Sequence, residues 1–158
     1  MTPLEINRSE FDMKKKKLDI VILVLIVSVM ILMFIPKGVG LKFASKNDLG
    51  ETIYTYNFSS YFSMLPFGYA VFSPLLAAFS TTILLILSSI KLIFKQRMMH
   101  VWLIVTSLAA TYFSILSVNF DPNLLTTISI IIMVVVTLIT ILLSYQLYMY
   151  HRQKRINH

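Results

Sequence analysis

The sequence predicts an all-α integral membrane protein, a bundle of four transmembrane helices with a short extracytoplasmic loop or β-hairpin between helices 1 and 2. Three observations lead to this prediction. The 158 residues are 57% apolar and 13% charged, whereas a soluble domain has about 45–50% apolar and about 25% charged residues. The apolar excess is concentrated in long runs without charge, and a spanning helix needs roughly 20 such residues. Most of the basic residues fall on one side of these runs.

Four apolar runs have the length of a membrane span. They predict helices over residues 18–35, 67–94, 100–118 and 124–150, which together form a transmembrane domain over residues 18–150. Asp19 and Lys91 are the charged residues within these bounds, and each stands near the end of its predicted helix. A charged side chain in that position is expected to extend back to the water interface.

The distribution of positive charge predicts the orientation of the helices. Residues 1–17 and 151–158 are two basic tails, and Lys and Arg are enriched on the cytoplasmic side of membrane proteins. Both termini are therefore expected in the cytoplasm, with the protein in the plasma membrane of a bacterial cell. The tails are expected either to bind anionic lipid headgroups or only to determine topology. Their basic residues are Lys14, Lys15, Lys16, Lys17, Arg152, Lys154 and Arg155.

The first apolar run also resembles a cleaved leader, because lysines precede it and Pro36 and Gly38 follow it. Leader peptidases require small residues in an A-x-A-like pattern. Gly38-Val39-Gly40 is the best candidate for such a site, and the later runs are similarly apolar. We therefore expect the first helix to be retained.

The segment 37–66 is a loop with two stretches of alternating residues around the turn-forming sequence SKNDLGE. Alternation with a period of two predicts a β-hairpin that has one apolar, aromatic face. An irregular aromatic loop is the alternative. An isolated hairpin is marginally stable in water, so this face is expected to lie on the helix ends or to contact a partner. The candidate contact residues are Tyr54, Tyr56, Phe58, Tyr61 and Phe62.

Small and hydroxylated residues recur every three or four positions along the last three runs. Stripes of this kind let helix backbones approach closely and hydrogen-bond to one another, so they predict helix packing. A hydroxyl-lined path for a solute is the alternative. Pro74 is expected to bend the second helix about two turns from its start. The packing residues are Ser73, Ala77, Thr81, Ser107, Ala110, Ser114, Thr137, Thr140 and Ser144.

The residue types in this chain give no basis for catalysis. The sequence contains no cysteine, and its three histidines have no neighbouring carboxylates, so we expect neither a metal nor another cofactor. No ionisable group is expected at membrane depth, which argues against transport coupled to protons or sodium. The basic clusters are short and adjacent to the membrane, and so they do not indicate nucleic-acid binding.

The expected function is therefore interaction rather than chemistry. The partner would be another membrane protein, a second copy of the chain or lipid, and the chain would act as an accessory or regulatory subunit or as an immunity-type protein. The alternative is a small oligomeric transporter or channel for a neutral or apolar solute. Its pore would be lined by Thr137, Thr140 and Ser144 or by the bend at Pro74.

Overall fold

The computed structural model describes residues 3–47, 50–63, 72–94, 99–118 and 125–156, and within these ranges the chain is mostly helical. Helices α2, α3 and most of α4 are long and apolar enough to cross a membrane, by length and composition. Helix α1 is not among them, because lysines and Asp19 precede an apolar part that ends at Met33. The elements are α1 (Pro3–Met33), β1 (Val39–Lys46), β2 (Thr52–Ser59), α2 (Ser73–Phe94), α3 (Met99–Ser117) and α4 (Thr127–Ile156).

The four helices form a closed ring in which α1 and α3 each pack against both α2 and α4. Each helix places a buried stripe at helical spacing towards the centre. On α1 this stripe consists of Ile22, Ile26, Val29 and Met33. The outward faces are also apolar, which is the pattern expected of helices that have lipid on one side. Examples are Phe79, Ile83, Val105, Leu108, Val134 and Ile141.

The two ends of the bundle differ in chemistry. One end, which we call the hairpin end, holds the last turn of α1, the two strands, the first turns of α2 and α4 and the last turn of α3. The opposite end holds the first turn of α3 and the last turns of α2 and α4, together with the basic part of α1. Each end contains one candidate site.

Several element boundaries differ from the predicted ones. Helix α1 already begins at Pro3, and α4 continues to Ile156, so the basic residues of both tails lie on helices. The predicted start of the second helix at residue 67 lies outside the described residues. As described, α2 begins at Ser73, and the Leu76 N–H bonds to the carbonyl of Phe72 at 3.0 Å.

The predicted bend at Pro74 is wrong. This proline stands in the first turn of α2 rather than two turns inside it. A proline is well tolerated there, because the N–H groups of a first turn have no partner within the helix and the fixed φ angle already suits a helix. Pro74 is therefore a helix-start residue, and it opens no cavity by bending the helix.

Strands β1 and β2 form the predicted β-hairpin, so the alternative of an irregular loop is wrong. They pair antiparallel with Val39 opposite Ser59 and Lys46 opposite Thr52. At the turn, the Glu51 N–H bonds to the Asn47 side-chain oxygen at 2.8 Å. Gly50 has a φ of +80°, a left-handed conformation that favours glycine because other residues have a Cβ.

Candidate functional site

At the hairpin end, β2 carries three exposed aromatic side chains, Tyr54, Tyr56 and Phe58, which we call the aromatic surface. They are 52%, 40% and 46% exposed. The residues between them point the other way, and they are exposed as well. Of the two positions expected for the aromatic face, on the helix ends or against a partner, the first is therefore wrong. Both faces of the described part of β2 are open to the surroundings.

A positive charge accompanies the aromatic surface. Lys42 on β1 stands directly opposite Tyr56 in the strand register. Its ammonium nitrogen lies 4.1 Å from the centroid of the Tyr54 ring and 6.0 Å from that of the Tyr56 ring. A cation over an aromatic face is attracted by the ring quadrupole. This contact holds the two tyrosine rings beside a fixed charge on one face of the hairpin.

Tyr61 and Phe62, which were predicted to belong to this surface, lie outside it. Tyr61 is fully buried, and its backbone N–H donates to the carbonyl of Met33 at 3.1 Å. The Phe62 ring stacks on Phe34, with 4.4 Å between the centroids. Burial raises the pKa of the Tyr61 hydroxyl. Both residues attach the base of the hairpin to the end of α1.

Two further contacts fix the base of the hairpin. The Tyr61 ring lies against Gly38 so closely that a Cβ added there would meet the ring at 3.1 Å. The Thr126 hydroxyl donates to the Gly38 carbonyl at 2.8 Å, and it also accepts the N–H of Ser129 as the N-cap of α4. The aromatic surface therefore stands on a base that is bonded to two helices.

At the opposite end, three side chains from three helices form a buried polar cluster of Asp19, Lys91 and Gln146. The Lys91 ammonium donates to Asp19 Oδ1 at 2.6 Å and to Gln146 Oε1 at 2.5 Å. The Gln146 amide nitrogen donates to Asp19 Oδ1 at 2.7 Å. Lys91 is 6% exposed, Asp19 15% and Gln146 3%. The cluster joins α1, α2 and α4.

This cluster corrects one expectation from the sequence. Asp19 and Lys91 do not extend separately to the interface, since they bond to each other inside the bundle. Lys91, near the end of the apolar helix α2, is buried rather than directed to water. Gln146 was not recognised as a candidate, since a single glutamine near a helix end carries no signal of its own.

Helix α3 contributes a ring beside the polar cluster. His100 is 6% exposed and stacks on Tyr150 of α4, with 5.7 Å between the ring centroids. The Lys15 ammonium lies 5.5 Å from the centroid of the same Tyr150 ring. All four helices therefore contribute polar or aromatic groups to this end of the bundle.

The other basic residues of this end are described only in part. Lys16, Lys17 and Arg152 are exposed, and Lys15 is half-buried. The side chains of Lys14, Lys154 and Arg155 lie outside the described part of the structure. None of the hydrogen bonds of the buried cluster involves Lys16, Lys17 or Arg152.

The predicted packing residues of α2 and α3, namely Ser73, Ala77, Thr81, Ser107, Ala110 and Ser114, are buried. The three predicted packing hydroxyls of α4 differ in their burial and hydrogen-bond partners. Thr140 is buried and bonds to the Thr111 hydroxyl of α3 at 2.9 Å. Thr137 is half-buried and Ser144 is exposed, and each bonds to a carbonyl of its own helix. Each of the three hydroxyls therefore makes a hydrogen bond within the chain.

In comparisons of the whole chain with protein-family models, curated proteins and solved structures, no match was found.

Proposed function

We propose that this chain is a four-span membrane protein with both termini in the cytoplasm and the hairpin outside the cell. We propose further that it acts without catalysis, by binding another membrane protein through the aromatic surface, as an accessory or regulatory subunit. Three helices of suitable length and composition support the membrane setting. The basic residues at the end opposite the hairpin support the orientation.

The exposed aromatic strand is the observation that carries this proposal. Tyr54, Tyr56 and Phe58 are half-exposed on a two-stranded sheet whose second strand is open on both faces. Such a hairpin is marginally stable alone. Aromatic side chains are enriched among the residues that dominate binding energy at protein interfaces. A partner that covers the strand would bury these rings and stabilise the hairpin at the same time.

The attachment of the hairpin favours the same proposal. Its base is bonded to Met33 of α1 and, through Thr126, to the start of α4. A surface that is held in place before binding loses less conformational entropy when a partner docks. Lys42, beside the tyrosine rings, would favour a partner with carboxylate groups, because complementary charge orients an encounter.

Lipid is proposed as the second partner, on the cytoplasmic side. The exposed Lys16, Lys17 and Arg152 would lie at the level of the headgroups. Basic residues close to an anionic membrane surface are each worth about 1 kcal/mol. Their contribution would hold the bundle in its orientation, whereas the aromatic surface would select the protein partner.

The test compares two triple variants on opposite faces of β2. The first changes Tyr54, Tyr56 and Phe58 to serine. The second is a matched control that changes Ile53, Thr55 and Asn57 of the same strand to serine. Tagged protein is purified in mild detergent from its native membrane, the bound proteins are identified by mass spectrometry, and native mass measurement gives their stoichiometry.

A partner that is present at a fixed ratio with the wild type and the control, and absent with the aromatic triple variant, supports the proposal. Retention of that partner by the aromatic variant refutes the assignment of the surface. A homo-oligomer without any other partner refutes the accessory role. It favours the alternative of a pore between copies, which liposome flux assays would then examine.

A further inference from the structure

Helix α1 differs from the other three helices in the length of its charge-free part. The other three have the length and composition of independent spans. The charge-free part of α1 begins only after Asp19 and ends at Met33. Asp19 also brings a carboxylate into contact with two neighbouring helices. Among the described helices, α1 therefore has the shortest charge-free part.

The polar cluster supplies a specific attraction instead. A single buried charge is costly, because its hydration is lost without compensation. Here the ammonium of Lys91 neutralises the carboxylate of Asp19, and the Gln146 amide accepts from the first and donates to the second. An amide side chain has both an acceptor oxygen and donor hydrogens, so it can bond to both members of the pair. These bonds form only when α1 lies between α2 and α4.

We propose that Lys91 and Gln146 are a receptor on α2 and α4 for Asp19, and that this match docks α1 in the bundle. The position of α1 between α2 and α4 then depends on the Asp19–Lys91 pair more than on the hydrophobicity of α1. The proposal rests on the four-span arrangement proposed above. It also connects Lys91 to the hairpin, because the carbonyl of Met33 at the end of α1 accepts a hydrogen bond from Tyr61 at the base of the hairpin. Docking of α1 therefore also positions the aromatic surface.

The docking of α1 can be measured far from the cluster. The Thr82 hydroxyl on α2 lies 3.8 Å from the Met30 sulfur on α1. Met30 is about 16 Å along the helix from Asp19, at about 1.5 Å per residue. The chain has no cysteine, so Met30→Cys with Thr82→Cys gives a single reactive pair. A short bis-maleimide applied to native membranes measures the crosslinked fraction.

The crosslinking is compared between the parent and four variants. D19N and K91M each leave one buried charge without its partner. The charge-swapped D19K/K91D restores a pair in reverse. K46M removes an exposed lysine of the hairpin and is the matched control. We expect D19N and K91M each to lower the crosslinked fraction at least about fivefold, because a buried charge without its partner destabilises the docked position of α1. The swap should recover more than about half of the parent's crosslinked fraction. K46M should leave the fraction unchanged.

The result that overturns this inference is equal crosslinking in D19N, K91M and the parent. Loss in both single variants without recovery in the swap also overturns it, because the positions would then matter for packing and not for charge recognition. A separate variant, Ser45→Cys, tests the arrangement on which the inference rests. Ser45 is an exposed residue of β1, so an impermeant maleimide should label it from outside. Absence of that label refutes the four-span topology, whatever the crosslinking shows.

Discussion

Replacing Tyr61 by phenylalanine is expected to stabilise the protein, because the hydroxyl that is removed makes no hydrogen bond to any described residue. The ring itself is fully buried against Gly38 at the base of the hairpin. Phenylalanine keeps that ring and its contacts, and it removes only the polar atom. The change therefore separates the packing of Tyr61 from the cost of burying its hydroxyl.

The size of the effect follows from the burial. A buried polar group without a partner costs about 1–3 kcal/mol, so Tyr61→Phe should raise the free energy of unfolding by about that amount. In a chain of this length, 1 kcal/mol corresponds to about 2–4 °C in the melting temperature. Tyr61→Ala should act in the opposite direction, because loss of a buried aromatic ring costs about 3–5 kcal/mol.

Alkaline pH gives a second measurement on the same residue. Burial raises the pKa of Tyr61 in the folded protein, whereas an unfolded tyrosine titrates at about pH 10. Above that pH the unfolded state has released the proton and the folded state still holds it. The stability associated with neutral Tyr61 is therefore complete below about pH 10 and is lost as the pH rises further. The free energy of unfolding of Tyr61→Phe should therefore exceed that of the wild type by an increasing amount between about pH 9 and pH 11.

Thermal unfolding in mild detergent, followed by circular dichroism at several pH values, measures these differences. The reasoning is refuted if Tyr61→Phe melts at least about 3 °C below the wild type at pH 7. That result would mean that the hydroxyl has a hydrogen-bond partner. A difference in melting temperature between Tyr61→Phe and the wild type that becomes smaller above pH 10 would contradict the raised pKa of Tyr61.

Three further substitutions examine other parts of the bundle, each by the same unfolding measurement. Thr126→Val removes the N-cap of α4 and the bond to the hairpin base, so it should cost about 1–2 kcal/mol, whereas the exposed neighbour Thr127→Val should cost much less. Thr140→Val removes a hydroxyl that bonds to α3 and should cost about 1 kcal/mol, and Thr137→Val, which loses only a bond within its helix, should be nearly neutral. Gly50→Ala places a Cβ at a φ of +80° and should destabilise the hairpin by about 1 kcal/mol.

The hairpin was predictable because its signal is local. Tyr54, Tyr56 and Phe58 alternate with polar or smaller residues on one side of a turn-forming segment. The predicted single apolar face is wrong, however, because their register partners on β1 are Ala44, Lys42 and Gly40 and not the alternating Val39, Leu41 and Phe43. The position of Tyr61 was not predictable in the same way. The alternation stops at Ser59, where β2 ends, and the burial of Tyr61 depends on contacts with Gly38 and Met33. Those contacts join parts of the chain that are distant in sequence.

The packing stripes show a related limit. Periodicity identifies residues that share one face of a helix, and the chosen residues of α2 and α3 are all buried. On α4 the positions of Thr137 and Ser144 also fit helical spacing, but they lie at the edge of the buried stripe and outside it. Spacing alone does not tell which of several polar stripes faces the neighbours, because the angle at which a helix is rotated is set by all its contacts.

Two members of the polar cluster, Asp19 and Gln146, were missed because α1 and α4 are longer than their apolar runs. With helix 1 predicted to start at residue 18, Asp19 appears to be terminal and able to reach water. In the structure α1 starts at Pro3, so Asp19 lies well inside the helix, on a packed face. Helix α4 likewise continues past Tyr150 to Ile156, so Gln146 lies inside the helix rather than at its end. A charge near the end of an apolar run is therefore not necessarily near the end of a helix. Whether it reaches water depends on what the neighbouring helices present at the same height, and here they present Lys91 and Gln146.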